Sequence, residues 1–239
     1  MGSINRRVSQ KMSFPEGYER KRTVTKMVRS EWRVKGAKGE LLDENSTTSG
    51  SAPRRTVIPF PNTIEEAVTS PITTVMIRNV PNQYKLDDLL LMMDDHCWQQ
   101  NKTIEDPADW SKFDFIYLPM DYRKHAIEGR MSNLGYAFVN FTTPSAAFKF
   151  YEQFQGLVWN VTENQKICEI NAALYQGKDT LMRIFRQKVF QCKSRDFLPV
   201  VFSEARDGLN RQIEGTPVGK HVPGLPRRSI GTRAYFQNH

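Results

Sequence analysis

The chain stays polar and broken by Gly, Ser and Pro as far as about Ser70, with Asn45 to Arg55 (NSTTSGSAPRR) the clearest linker-like run. This predicts a disordered N-terminal segment over residues 1–70. Its one apolar patch, Thr56 to Pro61, holds two prolines that argue against a central strand and leave it as an extension able to dock on a domain. At Ile72 the pattern changes. Thr73 to Val80 (TTVMIRNV) is apolar and β-branched and closes on Pro81-Asn82, which reads as a first strand. From Leu86 to Trp98 the apolar residues Leu86, Leu89, Leu90, Met93 and Cys97 recur at helical spacing, with aspartates between them. Asp114–Pro119 and Gly135–Phe141 read as second and third strands, paired antiparallel across a polar connection from Asp121 to Asn133. Thr142-Thr-Pro-Ser then starts a second helix, with Ala146, Ala147, Phe150, Tyr151 and Phe154 on its apolar face and Gly156 ending it. Lys166–Ala172 supplies a fourth strand, and Gly177–Arg186 a third helix with an edge of Leu181, Ile184 and Phe185. Beyond Val200 glycines and charge return without periodicity, and residues 201–239 are expected to be a flexible basic tail.

The order βαββαβ with an added C-terminal helix predicts an α+β, ferredoxin-like domain over residues 71–200. Two helices cover one face of a four-stranded antiparallel sheet and the other face is left open.

Charge sharpens this division. The chain carries a net +8, yet residues 71–200 hold 15 Lys+Arg against 15 Asp+Glu, whereas residues 1–70 hold 13 against 8 and residues 201–239 hold 6 against 3. Basic flanks around a neutral domain suit a polyanionic partner, with the flanks supplying phosphate attraction and a folded surface supplying selectivity; solubility is the plainer use of the same charge.

The third strand sits in the octamer Leu134-Gly-Tyr-Ala-Phe-Val-Asn-Phe141, which follows the RNA-recognition-motif signature except at its first, usually basic, position. Strand alternation puts Tyr136, Phe138 and Asn140 on one face and Ala137, Val139 and Phe141 on the other. The second set joins the helical core. Tyr136 and Phe138 are then platforms on which RNA bases can stack, or else strand aromatics covered by the third helix or the tail. On the first strand Asn79 is present, but Met76 stands where an aromatic is usual; Met76 can still pack on a base and Arg78, on the same face, can stack or pair with phosphate. Asn171 faces the open side of the fourth strand, where it can bond a base edge, while Cys168 and Ile170 face the core. Lys124 and Arg130, with Arg123 and His125, lie in the connection before the octamer and can reach phosphates.

Taken together, Met76-Ile-Arg-Asn-Val-Pro-Asn82, Tyr84, Asp114-Phe-Ile-Tyr-Leu-Pro-Met-Asp121, Asn133–Phe141, Cys168-Glu-Ile and Gln176-Gly-Lys178 make the run from Thr73 to Phe202 resemble the C-terminal RNA-recognition motif of the Mei-two-like proteins, meiotic and developmental regulators of fungi and plants. The resemblance implies RNA binding without catalysis or cofactor, with Tyr136 and Phe138 at the family's octamer aromatic positions. No second octamer occurs in residues 1–70, so the chain looks like a short form with this domain alone. The link from Cys97 to Lys112 is longer than the family's, and an extended helix end accounts for it most simply.

Enzyme signatures are missing: there is no HExxH, glycine-rich phosphate loop or GxSxG, and Cys97, Cys168 and Cys192 lie too far apart for a paired metal site. His96-Cys97, the nearest candidate, reads as structural. No run approaches the roughly 20 apolar residues of a membrane span. The expected partner is single-stranded RNA, with protein partners left open and neither membrane nor small-molecule substrate implied. The residence expected is intracellular, with nuclear slightly favoured over cytoplasmic; Lys21-Arg22 and Arg227-Arg228 are basic, but neither forms an import signal. The rival reading is a protein- or peptide-binding module of the same fold without RNA binding, which Met76 and Leu134 favour.

Overall fold

Apolar alternation becomes strands, and apolar residues at helical spacing become helices, at the expected places in the computed structural model, which describes residues 58–159 and 166–224. In chain order the helices and strands are α1 (Ile64–Val68), β1 (Thr74–Arg78), α2 (Leu86–Asn101), β2 (Phe113–Tyr117), α3 (Tyr122–Glu128), β3 (Tyr136–Phe141), α4 (Pro144–Phe154), β4 (Glu169–Ala172), α5 (Lys178–Gln187), β5 (Val189–Cys192), β6 (Val200–Arg206), β7 (Thr216–Pro217) and β8 (Lys220–Pro223). The main sheet has the order β4-β1-β3-β2-β6-β7 and all of its pairs are antiparallel. Its first four strands have the ferredoxin-like arrangement the pattern predicts. Val75, Ile77, Ala137, Val139 and Phe141 are fully buried on the helical side, with Leu89 and Met93 of α2 and Phe150 of α4. Helix α4 starts as its sequence dictates. The Thr143 hydroxyl accepts from the Ala146 N–H at 3.2 Å and Pro144 follows at the first turn, where its missing N–H costs nothing.

Three polar side chains fix how the strands enter and leave. Asn79 ends β1 with φ 59°, a left-handed conformation that asparagine tolerates better than most residues, and its amide donates to the Ile167 carbonyl at 2.9 Å. Buried Asn133 donates to the carbonyls of Pro81 and Tyr84 and accepts from the Gly135 N–H, tying the β1–α2 turn to the start of β3. Gln176 accepts from the N–H groups of Thr73 and Thr74 and donates to the carbonyls of Thr74 and Ala173, which seals the start of β1 beneath the entry to α5. Several residues that carry the sequence resemblance therefore hold backbone and are not on the exposed face.

The ordered domain is larger than 71–200. Upstream, Phe60 stacks on Tyr151 of α4 with centroids 4.3 Å apart and planes 7° from parallel, and Ala67 of α1 is buried. The Thr56–Pro61 patch thus docks by its aromatic ring, and residues 58–70 are not part of a disordered segment; residues 1–57, with the Asn45–Arg55 run, lie outside the described residues. Downstream, all of β6 except Val200 lies in the expected flexible tail; it adds a fifth strand beside β2, and Val200, Val201 and Phe202 are buried there. Arg206 Nε and Nη2 donate to the two carboxylate oxygens of Asp94 on α2 at 3.1 and 2.5 Å, with both side chains buried. Gly208, at φ 85°, lies so close to α2 that a Cβ there would stand 2.2 Å from the Asp94 carbonyl oxygen. Alternation is imperfect in β6 and its partner β7 is a two-residue strand that contains Pro217, so period-two reading passes over it. Residues 225–239 lie outside the described residues. The polar connection before the octamer is likewise structured, as α3, capped by the Asp121 carboxylate. In the long link, α2 continues to Asn101, whose side chain donates to the Ser111 carbonyl and accepts from the Ser111 N–H, so an extended helix end and a clasp account for it.

Candidate nucleic-acid interface

Register carries four strands into two rows across the sheet face opposite α2 and α4. Asn171 lies beside Met76, Met76 beside Phe138 and Phe138 beside Tyr117; in the next row Glu169 lies beside Arg78 and Arg78 beside Tyr136. Phe115, opposite Asn140, shares this face. The sequence reading missed Phe115 and Tyr117, although alternation in the second strand together with antiparallel pairing to the third would have found them.

This face is open only over part of its width. Helix α5 crosses the β2 side, where Phe185 stacks on Phe115 with centroids 5.6 Å apart and meets Tyr117 edge-on at 5.3 Å; Phe190 of β5 closes on Tyr117 at 6.0 Å. Phe138, the neighbour of Tyr117 across the β2–β3 pairing, is 1% exposed. It is a core aromatic here, not an open stacking platform. Tyr136, edge-on to Phe138 at 5.7 Å, is half-buried at the margin of the cover. Burial of the pair by the protein itself, the alternative of covering by the third helix or the tail, therefore applies to Phe138 and in part to Tyr136.

The remaining expected contacts divide in the same way. Asn140 is buried: its carbonyl oxygen accepts from the hydroxyls of Thr73 and Thr74 at 3.0 and 2.7 Å, and its amide donates to Asp114 Oδ1 at 2.8 Å. Asp114 in turn faces Lys178 at 3.7 Å, so this network ties the start of α5 to the sheet. Burial raises the Asp114 pKa, against the lowering effects of Asn140 and Lys178. Met76 and Asn171 are half-buried on the uncovered side. Arg78, also half-buried, pairs with Glu169 at 3.0 Å, so a phosphate reaching it would exchange with that carboxylate. Lys124 sits half-buried on α3 and Arg130 is exposed in the loop beyond, off the sheet face but on the same β2–β3 connection. Burial raises the pKa of Tyr136, raises that of Tyr117 well above the usual phenol value and pushes Tyr122 up to about 12. All three phenols are neutral at physiological pH and add no negative charge to the site.

His96 and Cys97 lie on the other side of the sheet. The His96 ring meets Phe141, Phe150 and Phe154 near their edges, and its Nδ1 lies 2.6 Å from Gln153 Oε1, to which it donates. Burial drives the Cys97 thiol far up and Cys168 up to about 12, so neither is a thiolate at neutral pH. Among the described residues no group of three or more His, Cys, Asp or Glu side chains is placed to hold a metal ion. No helix among them is long and apolar enough to cross a membrane.

The β4-β1-β3-β2 sheet with its octamer on the central β3 is an RNA-recognition motif. Comparison with known proteins gives the particular kind. Residues 72–186 match the family model RNA recognition motif 2, and this domain belongs to that family. The relatives carry terminal ear1 and MEI2-like names. The chain is 43% identical over 141 residues to Protein terminal ear1 homolog of Oryza sativa subsp. indica, covering 57% of this chain and 20% of that protein. It is 41% identical over 166 residues to Protein MEI2-like 7 of Oryza sativa subsp. japonica, covering 67% of this chain and 41% of that protein. To Protein MEI2-like 1 of Arabidopsis thaliana it is 31% identical over 161 residues, 66% of this chain and 15% of that protein. The chain thus spans less than half the length of these relatives.

Proposed function

We propose that this domain binds single-stranded RNA on the uncovered part of its sheet face, without catalysis, as part of post-transcriptional regulation. The observation that carries the reading is the half-buried ring of Tyr136, at an octamer aromatic position, beside the uncovered Met76, Arg78 and Asn171. One base stacks on Tyr136, the Met76 thioether packs against a base or ribose, and Asn171 offers a donor and an acceptor to a base edge. Arg78, released from Glu169, and Lys124 and Arg130 along the β2–β3 connection meet phosphates. Phe138 and Asn140 support this surface from below by holding the α5 cover and β1 in place.

Fluorescence anisotropy with a random-sequence single-stranded 20-mer tests the reading. Tyr136→Ala is expected to weaken binding by about 1–3 kcal/mol while the protein stays folded. Phe138→Ala is expected to cost stability first, about 3–5 kcal/mol in urea unfolding, because it opens a cavity under α5. Unchanged RNA affinity in a folded Tyr136→Ala protein would remove the reading.

A further inference from the structure

Charge within the domain is not spread evenly. Residues 71–177 hold 9 Lys+Arg against 13 Asp+Glu, whereas residues 178–198, which form α5, β5 and the turn that follows, hold 6 against 2. The segment that closes the sheet face is therefore the basic part of an otherwise acidic domain. The apolar side of α5, Leu181 and Phe185, is buried, and Arg183 and Arg186, three residues apart on a helix, point away from it and are exposed. Lys193 and Arg195 are exposed where β5 leads toward Phe197, and Phe197 stacks on Tyr122 and meets His125 edge-on, both on α3. Lys220 of β8 joins the group, because its N–H donates to the Lys188 carbonyl at 2.9 Å.

These cations lack carboxylate partners among the described residues. The ion pairs there use Arg78, Lys178, Arg206 and Arg211, and not Arg183, Arg186, Lys188, Lys193, Arg195 or Lys220. Asp179 lies one turn before Arg183 without pairing to it, and Asp196 accepts instead from Ser194. The Lys188 ammonium sits over the Phe185 ring at 5.6 Å, and burial lowers its pKa. It is a partly desolvated cation that no described carboxylate pairs with.

We propose that the outer surface of this cover, with Arg183, Arg186, Lys193 and Arg195 at its centre, is a phosphate track for the backbone of single-stranded RNA, continuous through α3 with the Tyr136 margin. The inference rests on the RNA-binding reading above and extends it. A domain whose cover hides Phe115, Tyr117 and Phe138 gives up stacking area, and the same cover supplies charge in its place. Binding is then more electrostatic and less dependent on base identity than on a fully open sheet, because phosphate contacts carry no sequence information.

The test measures affinity of the full chain for the same 20-mer RNA across a salt series. Neutralising Arg183, Arg186 and Lys193 together to Gln is expected to make the log–log salt dependence shallower by about 0.7 for each phosphate that the protein no longer neutralises. A control with Lys102, Lys112 and Lys149 changed to Gln, which removes equal charge outside the cover, is expected to keep the wild-type slope. Equal slopes in the wild type and the cover variant, with binding still sensitive to Tyr136→Ala, would overturn the track and leave the sheet-face reading standing. A lower unfolding midpoint with an unchanged slope would also overturn it, since it would mean that these cations serve the fold, as Arg186 does in the last turn of α5, and not the RNA. An equal fall in slope in the control would show a diffuse charge effect and no track, and a wild-type chain that does not bind the RNA would overturn both readings.

Discussion

His96 shows how one buried side chain sets the behaviour of the core. Desolvation lowers its pKa from 6.5 to about 4, with the Gln153 hydrogen bond opposing and Lys149 adding slightly to the shift. The folded-state value lies below the unfolded one, so the contribution to stability is complete above pH 6.5 and is lost as pH falls toward about 4. The loss is on the order of 3 kcal/mol by linkage. His96→Phe keeps an aromatic ring among Phe141, Phe150 and Phe154 and removes the titration. Urea unfolding at a series of pH values is expected to show a shallower decline between pH 6.5 and 4 in the variant, and identical pH profiles would contradict this role for the ring. The sequence marked His96-Cys97 as the nearest approach to site chemistry, and only packing shows that the ring is enclosed by phenylalanines. The same limit applies to Phe138: alternation told which face it takes, but not that another element covers that face.

At the scale of elements, the strands and helices from Ile72 to Gln187 other than α3 were legible because each has an unbroken period and chemically marked ends, such as Thr143-Pro144 and Pro81-Asn82, whereas the short, polar α3 passed for a connection. What the period cannot state is where an amphipathic helix lands. The apolar edge of α5 was readable, yet the ring stack of Phe185 on Phe115 depends on the crossing of two elements far apart in the chain. Strand β6 was hidden for another reason. Its outward residues are polar and its buried ones include Arg206, which enters the core only because Asp94 meets it there. Arg206→Met is expected to lower stability by about 3–5 kcal/mol, since the Asp94 carboxylate is left buried and unpaired. Restoring apolar complementarity with Asp94→Leu in the same chain should recover most of that loss; if Arg206→Met alone unfolds at the wild-type urea concentration, β6 does not anchor the domain. A fragment ending at Val200 lacks this strand and is not the unit on which to measure binding.

Two facts combine at the scale of the whole molecule. The sheet face that an RNA-recognition motif uses is narrowed by its own C-terminal segment, and the uncovered remainder keeps Tyr136, Met76, Arg78 and Asn171 together. Charge counts along the chain identified basic flanks but missed the polarity inside the domain, because averaging over 71–200 cancels an acidic body against a basic cover. The most direct test of RNA binding on the uncovered face is an NMR titration of the labelled full chain with single-stranded RNA. The predicted result is that amide shifts concentrate at Met76, Arg78, Tyr136 and Asn171, while α2 and α4 stay still. Shifts confined to α2 and α4, or none at saturating RNA, would contradict it.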